Sequence, residues 1–528
     1  MSSTTYTTFL EVARLCGPDR AISDGDAEYS YDQLIPISRD LAKALMAAGI
    51  AKGDRVGIWS NNRAEWILAA LGIQAAGGTL VPLSTRLRGP EVSDILRRSR
   101  AKLLFSDAGF GAYDFIQTVR SLDLPDLARI VNIDAQQLGS GVVWSWQQFA
   151  QSGTAITDAQ LDARIASIKP EDFVDILYTS GTTGQPKGVP MAHYQSLIST
   201  RITQSEVALF ERGDRFIVLF PFAHVAGYRA GWQTALLHGV RVVILRHYDV
   251  RSLLELIKRD RPTYFPAAPT IYFDILDYPH RREYDLSCIR IAITGGTDVP
   301  VELIRRMRSE LGVGNVMTGY GMTETAGSVS SCRLGDDDEV VAKTAGRVHS
   351  NLQVICLDEN QKPVLVGTPG EIAVRGRQVF SGYFEDAAAS AAAFTSDGYF
   401  RTGDIGVFDE RGNLSITGRL KDMYLVGGFN CYPAEIERRM RELAGVADIA
   451  VVGIPDERLG QVGRAFIVKA PGTALTPESI VAWCKEAMAN YKVPRSIVFV
   501  DELPRNSQGK VLKAPLREYQ GPVHFGDK

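Results

Sequence analysis

The sequence predicts an α/β protein of several domains. Mainly parallel sheets covered by helices fill a large N-terminal part, followed by a small β-rich subdomain and a small C-terminal α/β domain. Three observations carry this. The chain has 528 residues, too many for one hydrophobic core. Its first third alternates strand and helix patterns, the rhythm of βαβ units. Beyond residue 340, short strands recur between turn signals until a last compositional block begins near residue 420.

In chain order, Leu34 to Ala48 reads as an amphipathic helix, Arg55 to Trp59 as a strand and Ala64 to Ala76 as a second helix. Leu80 to Leu83 and Leu103 to Phe105 are further strands, and nothing in this first part forms a catalytic constellation. Phe173 to Leu177 reads as a buried strand, as does Phe216 to Phe220. Ile291-Ala292-Ile293 is a strand that ends in Thr294-Gly295-Gly296-Thr297, before a helix from Val301 to Leu311. The β-rich part contains Val354 to Leu357, Glu371 to Val374 and Leu414 to Ile416. The last block reads as helix Pro433 to Leu443, strands Ile449 to Val452 and Arg464 to Val468, and helix Pro477 to Met488, enough for a small α/β domain.

Composition narrows the function classes. The 58 basic against 61 acidic residues, net −3, argue against nucleic acid as the main partner. Six cysteines are scattered without a C-x-x-C pair, which fits a reduced, cytoplasmic chain without structural zinc. The N-terminus lacks a basic region followed by an apolar one, so no signal peptide is expected. No uncharged apolar run is long enough to span a bilayer.

The densest chemistry is Tyr178-Thr179-Ser180-Gly181-Thr182-Thr183-Gly184-Gln185-Pro186-Lys187-Gly188. Glycines let the backbone turn amide N–H groups toward an anion, four hydroxyls add donors and Lys187 adds a point charge. That set suits a polyphosphate. It is not the common P-loop, because Gly188 rather than Ser or Thr follows the lysine. Downstream, Gly319-Tyr320-Gly321-Met322-Thr323-Glu324-Thr325 offers an aromatic ring, hydroxyls and a carboxylate suited to Mg²⁺.

The first of these stretches resembles the phosphate-loop signature of the adenylate-forming superfamily, which includes acyl-CoA synthetases, firefly-type luciferases and the adenylation domains of peptide synthetases. Companion motifs follow in order over nearly the whole chain. The resemblance implies an N-terminal domain over residues 1–419, built of two Rossmann-like α/β subdomains and a β-barrel-like subdomain, and a mobile C-terminal domain over residues 420–528. It implies that Thr179, Ser180, Gly181, Thr182, Thr183, Gly184 and Lys187 hold phosphates, and that Gly295, Gly296 and Thr297 pack against adenine. Gly319, Tyr320, Gly321, Met322 and Thr323 then line the nucleotide, Glu324 holds Mg²⁺, and Asp404 and Arg419 bind ribose and phosphate.

By the same resemblance, Pro221-Phe222-Ala223-His224 puts His224 at the mouth of an acyl pocket, with Tyr228, Arg229, Trp232, Gly296 and Gly321 as its lining. Read without the resemblance, a lone His224 is more often a satisfied core residue, and Arg229 serves equally well as a solvated helix residue. Lys421 matches the family hinge, Gly427, Gly428 and Phe429 a CoA channel, and Lys510 the catalytic lysine. The implied reaction joins a carboxylic acid to CoA through an acyl-adenylate, with ATP, Mg²⁺ and CoA as the small molecules. A stand-alone adenylating enzyme that loads a carrier protein is the alternative, and a noncatalytic nucleotide-binding module a third. The stretch Gly427 to Glu437 looks like that of bacterial ligases for bulky alicyclic acids, including ring remnants of steroid degradation. Medium-chain and aryl acids stay open, as does a homodimer.

Overall fold

The computed structural model describes residues 3–111, 113–135, 139, 141–179, 186–295, 299–426, 429–456, 458–505 and 510–525. It divides into two compact units, residues 1–353 with 374–398, and residues 354–373 with 399–528. The boundary expected at 419/420 therefore falls inside the second unit. The reason is local: the strand Leu414–Arg419 packs on the helix Pro433–Met440, so the β-rich stretch clusters with the C-terminal elements.

The first unit contains two seven-stranded sheets. One runs in the order Lys187–Ala192, Phe173–Thr179, Thr79–Leu83, Arg55–Trp59, Ala101–Ser106, Arg129–Asn132, Val143–Ser145. All its pairings are parallel except the edge hairpin of Phe173–Thr179 with Lys187–Ala192. The other runs Asn315–Met317, Ile291–Ile293, Tyr264–Pro266, Arg215–Val218, Arg241–Ile244, Arg20–Asp24, Ala27–Ser30. It too is parallel up to its terminal hairpin. That hairpin is formed by a stretch of the chain with little periodicity, and it docks against a strand more than 200 residues away.

The helix Ala64–Ala75 is apolar on every face and correspondingly buried on every face, as a helix enclosed by protein must be. It belongs to one continuous core that also takes Val56, Ile58 and Leu80 from the first sheet and Phe216, Ile217 and Val242 from the second. Parallel strands of this kind leave their carboxyl ends as the natural ligand crevice.

The second unit holds a four-stranded sheet, Gln353–Leu357, Gly370–Arg375, Phe400–Phe408 and Leu414–Arg419, and a six-stranded mixed sheet. In the latter the long antiparallel pair Val446–Asp456 and Gly460–Lys469 is backed by the helices Pro433–Met440 and Pro477–Ala487.

Candidate active site

The stretch expected to bind phosphate is flanked by the two strands of the edge hairpin. Thr179 stands opposite Lys187 in register, with Thr179 Oγ1 3.5 Å from the Lys187 carbonyl. Ser180, Gly181, Thr182, Thr183 and Gly184 lie outside the described residues, as do Gly296, Thr297, Gly427 and Gly428. Lys187 Nζ sits 4.7 Å above the centre of the Tyr383 ring, a cation–π contact. The hydroxyl of Tyr383 donates to Glu324 Oε1 at 3.2 Å. Burial and the neighbouring Glu324 push the Tyr383 phenol up, so it stays protonated and keeps donating. One aromatic side chain thus links the loop's lysine to the carboxylate expected to carry Mg²⁺.

Glu324 is buried on the short helical turn Thr323–Thr325, with Thr323 buried beside it. Gln378 Nε2 donates to the carbonyls of Thr325 (2.9 Å) and Ser328 (2.7 Å), and the Phe380 N–H donates to the Glu324 carbonyl at 2.9 Å. The preceding strand Gly319–Tyr320 pairs with Ser330–Ser331. Gly321 is required by a close backbone approach: a Cβ there would lie 2.2 Å from the Gly327 carbonyl oxygen. Gly295 follows the carboxyl end of Ile291–Ile293, where Thr294 N–H donates to the Met317 carbonyl at 2.9 Å. The two strands Ile291–Ile293 and Asn315–Met317 are parallel neighbours in the sheet, so Gly295 and Gly319 both follow carboxyl ends at the same edge of it.

His224 sits in a tight turn after the strand Arg215–Val218. Asn62 pins that turn, accepting from Phe222 N–H at 2.8 Å and donating to the Phe220 carbonyl at 2.9 Å. Gly227 admits it, because a Cβ would fall 2.3 Å from the Pro221 carbonyl oxygen. The Ala226 N–H donates to His224 Nδ1 at 3.2 Å, which assigns the ring proton to Nε2. Burial lowers the imidazole pKa, so His224 is a neutral Nε2–H donor.

The three residues expected beside it are in the core. Tyr228, Arg229 and Trp232 are 0%, 1% and 1% exposed, on the π-helical turn Tyr228–Gln233. Arg229 Nη2 lies 2.7 Å from both oxygens of Asp175, so its charge is matched internally. It is neither a solvated helix residue nor a polar contact open to a bound acid. The cause is Asp175 itself, a fully buried carboxylate on a central strand that requires a cation.

In the second unit Asp404 faces Arg419 across the pair Phe400–Phe408 and Leu414–Arg419, with Oδ1 3.1 Å from Nε. Lys510 lies within electrostatic range of both. Burial and the positive charge of Arg419 push its ammonium down to about 8, against the pull of Asp404. Lys421 lies in the short helical turn Leu420–Asp422, where Asp422 accepts from Arg517 at 2.8 Å. Phe429 opens the strand Phe429–Cys431.

Residues 9–384 match the AMP-binding enzyme family, and residues 435–510 match the AMP-binding enzyme C-terminal domain. The chain belongs to the AMP-binding enzyme family. A 7a-methyl-1,5-dioxo-octahydro-inden-4-yl propanoyl:CoA ligase of Rhodococcus jostii is 43% identical over 520 residues, 98% of each chain. The ligase of the same description from Mycobacterium tuberculosis is 43% identical over 502 residues, 95% of this chain and 96% of that one. The crystal structure of ATP-bound MatB from Rhodopseudomonas palustris superposes with a TM-score of 0.86 at 27% identity, over 98% of this chain and 99% of that one.

This member of the AMP-binding enzymes is an ATP-dependent acyl-CoA synthetase that converts a carboxylic acid, ATP and CoA to acyl-CoA, AMP and pyrophosphate. ATP, Mg²⁺ and CoA are its small-molecule requirements. The site fits magnesium: Glu324 offers a buried, oriented carboxylate that would hold the cation, whose remaining ligands would come from phosphates and water. Among the described residues no helix is long and apolar enough to cross a membrane. Sequence reasoning missed Tyr383, Asn62 and Gln378. No local motif marks them, and only the meeting of the segment around residue 380 with Gly188, whose carbonyl accepts from Phe384 N–H at 2.8 Å, brings Tyr383 to the site.

Proposed function

We propose that the chain activates a compact alicyclic acid with a propanoate arm, of the kind named for its two 43%-identical relatives, and that the residues above divide the work as follows. Both obstacles to adenylation are electrostatic: a carboxylate anion must approach a polyphosphate, and charge builds on the α-phosphate as it does so. Lys187 and the loop N–H groups hold the phosphates. Glu324 holds magnesium, which when bound neutralises phosphate charge. Tyr383 keeps Lys187 and Glu324 from collapsing into a direct ion pair by standing between them. His224, as a neutral donor, orients the incoming carboxylate. Asp404 accepts from the ribose hydroxyls, with Arg419 beside it.

Lys510 supplies the mobile cation that offsets charge in the transition state, and a charge so placed contributes roughly 10²–10³ in rate. For thiol attack the same cation must withdraw, and residues beyond Lys421 turn about that hinge to expose the CoA channel at Gly427, Gly428 and Phe429. The observation that carries the reading is the Lys187–Tyr383–Glu324 line, which joins two motifs far apart in sequence at one point.

Two assays test it. CoA-dependent AMP release should favour a hydrindane propanoate over decanoate or benzoate by about 10–200-fold in kcat/KM, the reach of apolar pocket discrimination. Equal or better turnover of the medium-chain or aryl acid overturns the acid assignment. Lys510→Ala should abolish acid-dependent ATP–pyrophosphate exchange yet still convert supplied acyl-adenylate to thioester. Equal loss of both steps rejects the division of labour.

A further inference from the structure

Three side chains outside this machinery form a directed hydrogen-bonded line. Ser328 Oγ lies 2.6 Å from His349 Nε2, and His349 Nδ1 lies 3.1 Å from Glu206 Oε2. Strand pairing brings the first two together: Ser330 stands opposite Val348, so Ser328 and His349 leave the same end of the pair. Glu206 comes from the π-helical turn Thr203–Ala208, a geometry enriched at functional sites. Its carboxylate also accepts from Arg333 Nη2 at 2.8 Å and from the Ser350 N–H at 3.2 Å.

These contacts fix the direction of every proton. Burial works against ionisation of Glu206, but the donors from Ser350 and His349 outweigh it and hold the carboxyl below its usual range. An ionised carboxylate can only accept, so Nδ1 carries the imidazole proton and Nε2 turns its lone pair to the Ser328 hydroxyl. Burial keeps the His349 ring neutral. That is the order of a nucleophile, a base and an orienting acid, recognised by geometry rather than by sequence spacing.

Ser328 is half-buried rather than sealed in the core. Its carbonyl is held by Gln378, and its own N–H meets no acceptor among the described residues. An uncommitted N–H on the nucleophile's own residue is one of the donors an oxyanion site uses. The residue backs on to Gly321, where a Cβ would come within 2.7 Å of Ser328 Cα. The family resemblance puts Gly321 in the lining of the acyl pocket, and the position of Ser328 beside the acyl group rests on that expectation and on the proposed function.

We propose that Ser328, His349 and Glu206 form a serine-nucleophile relay that hydrolyses the activated acyl group when no thiol takes it. Ser328 Oγ attacks the acyl carbon of the acyl-adenylate, its proton passes to His349 Nε2, and the carbon–oxygen bond to phosphate breaks. The proton moves on to the departing AMP, which leaves an acyl ester on Ser328. Water then attacks that ester, His349 takes a proton from the water and delivers it to Ser328 Oγ, and the free acid departs. The sum is acyl-adenylate plus water giving acid plus AMP.

A fluorophosphonate probe reads the nucleophile without any acid being present. The full-length native enzyme should acquire one adduct, mapped to Ser328 by peptide mass spectrometry. Ser328→Ala should remove it, and His349→Gln should slow its formation about 100-fold. With acid and ATP but no CoA, the native enzyme should release more than one AMP per active site. Native enzyme that forms acyl-CoA yet gives no adduct at Ser328 overturns the proposal, and because that result is read on the native chain it does not depend on a variant folding. A wrong acid assignment would leave the adduct intact, whereas a missing adduct would leave CoA-dependent AMP release intact.

Discussion

Replacing Arg229 by Met removes the guanidinium whose Nη2 lies 2.7 Å from both oxygens of Asp175, and leaves a carboxylate of 0% exposure without a counter-charge. Burial already pushes the Asp175 carboxyl up against the pull of Arg229, so the isolated acid must either stay charged in an apolar site or bind a proton. Breaking one side of such a pair costs about 3–5 kcal/mol, whereas replacing both partners by apolar groups is often close to neutral. Arg229→Met and Asp175→Leu should each destabilise strongly, and the double variant should recover most of the summed loss. Urea unfolding of the four proteins, followed by tryptophan fluorescence, measures the cycle. For a unit of roughly 380 residues, 4 kcal/mol corresponds to about 5 °C in the first thermal transition. If Arg229→Met unfolds within about 0.5 kcal/mol of the native protein while its KM for the acid rises tenfold, the arginine acts on substrate and the buried-pair account is wrong.

Three further outcomes follow from the geometry. Burial pushes His193 down to about 4, with Nδ1 3.2 Å from the Thr5 N–H, which can only donate. The unfolded chain, titrating near 6.5, therefore binds more protons between those values, and stability should fall by up to about 3 kcal/mol as pH drops from 6.5 to 4. Urea midpoints across that range should flatten in His193→Gln and stay level above neutrality in both proteins. Tyr383→Phe removes the 3.2 Å hydroxyl bond to Glu324 and should slow adenylation about 2–10-fold in ATP–pyrophosphate exchange, with acyl transfer from supplied adenylate unchanged. Burial and Arg419 hold the Lys510 ammonium at about 8, so exchange should decline as pH rises through that value, and Lys510→Arg should move the decline to higher pH.

Local pattern carries the elements well and their partners poorly. Arg55–Trp59 and Val301–Leu311 occupy the spans expected from their apolar periodicity, and most other boundaries differ by one or two residues. The short hairpin Arg20–Asp24 and Ala27–Ser30 escapes notice because its second strand is half-exposed and its companion is remote. Glycine and hydroxyl motifs announce the nucleotide chemistry directly, since few other environments call for such runs. Which side chains support those motifs depends instead on strand order: Tyr383 reaches Glu324, and Asn62 reaches Phe222, only after the sheets are assembled. Arg229 shows the same limit from the other side, because a charged residue on an aromatic turn reads as surface or pocket until Asp175 is seen beneath it.

The parallel seat of Arg20–Asp24 against Arg241–Ile244 has a consequence for biosynthesis. A ribosome adding about 5–20 residues per second needs roughly 10–40 s after making the first of these strands to make the second. Throughout that interval the hairpin has no neighbour to zip on to, and Ala21 and Ile22, buried once the sheet forms, face the translation milieu. Slow stretches of codons between the two, or depletion of holdase chaperones, should lower the yield of active enzyme more than they alter its melting temperature once made.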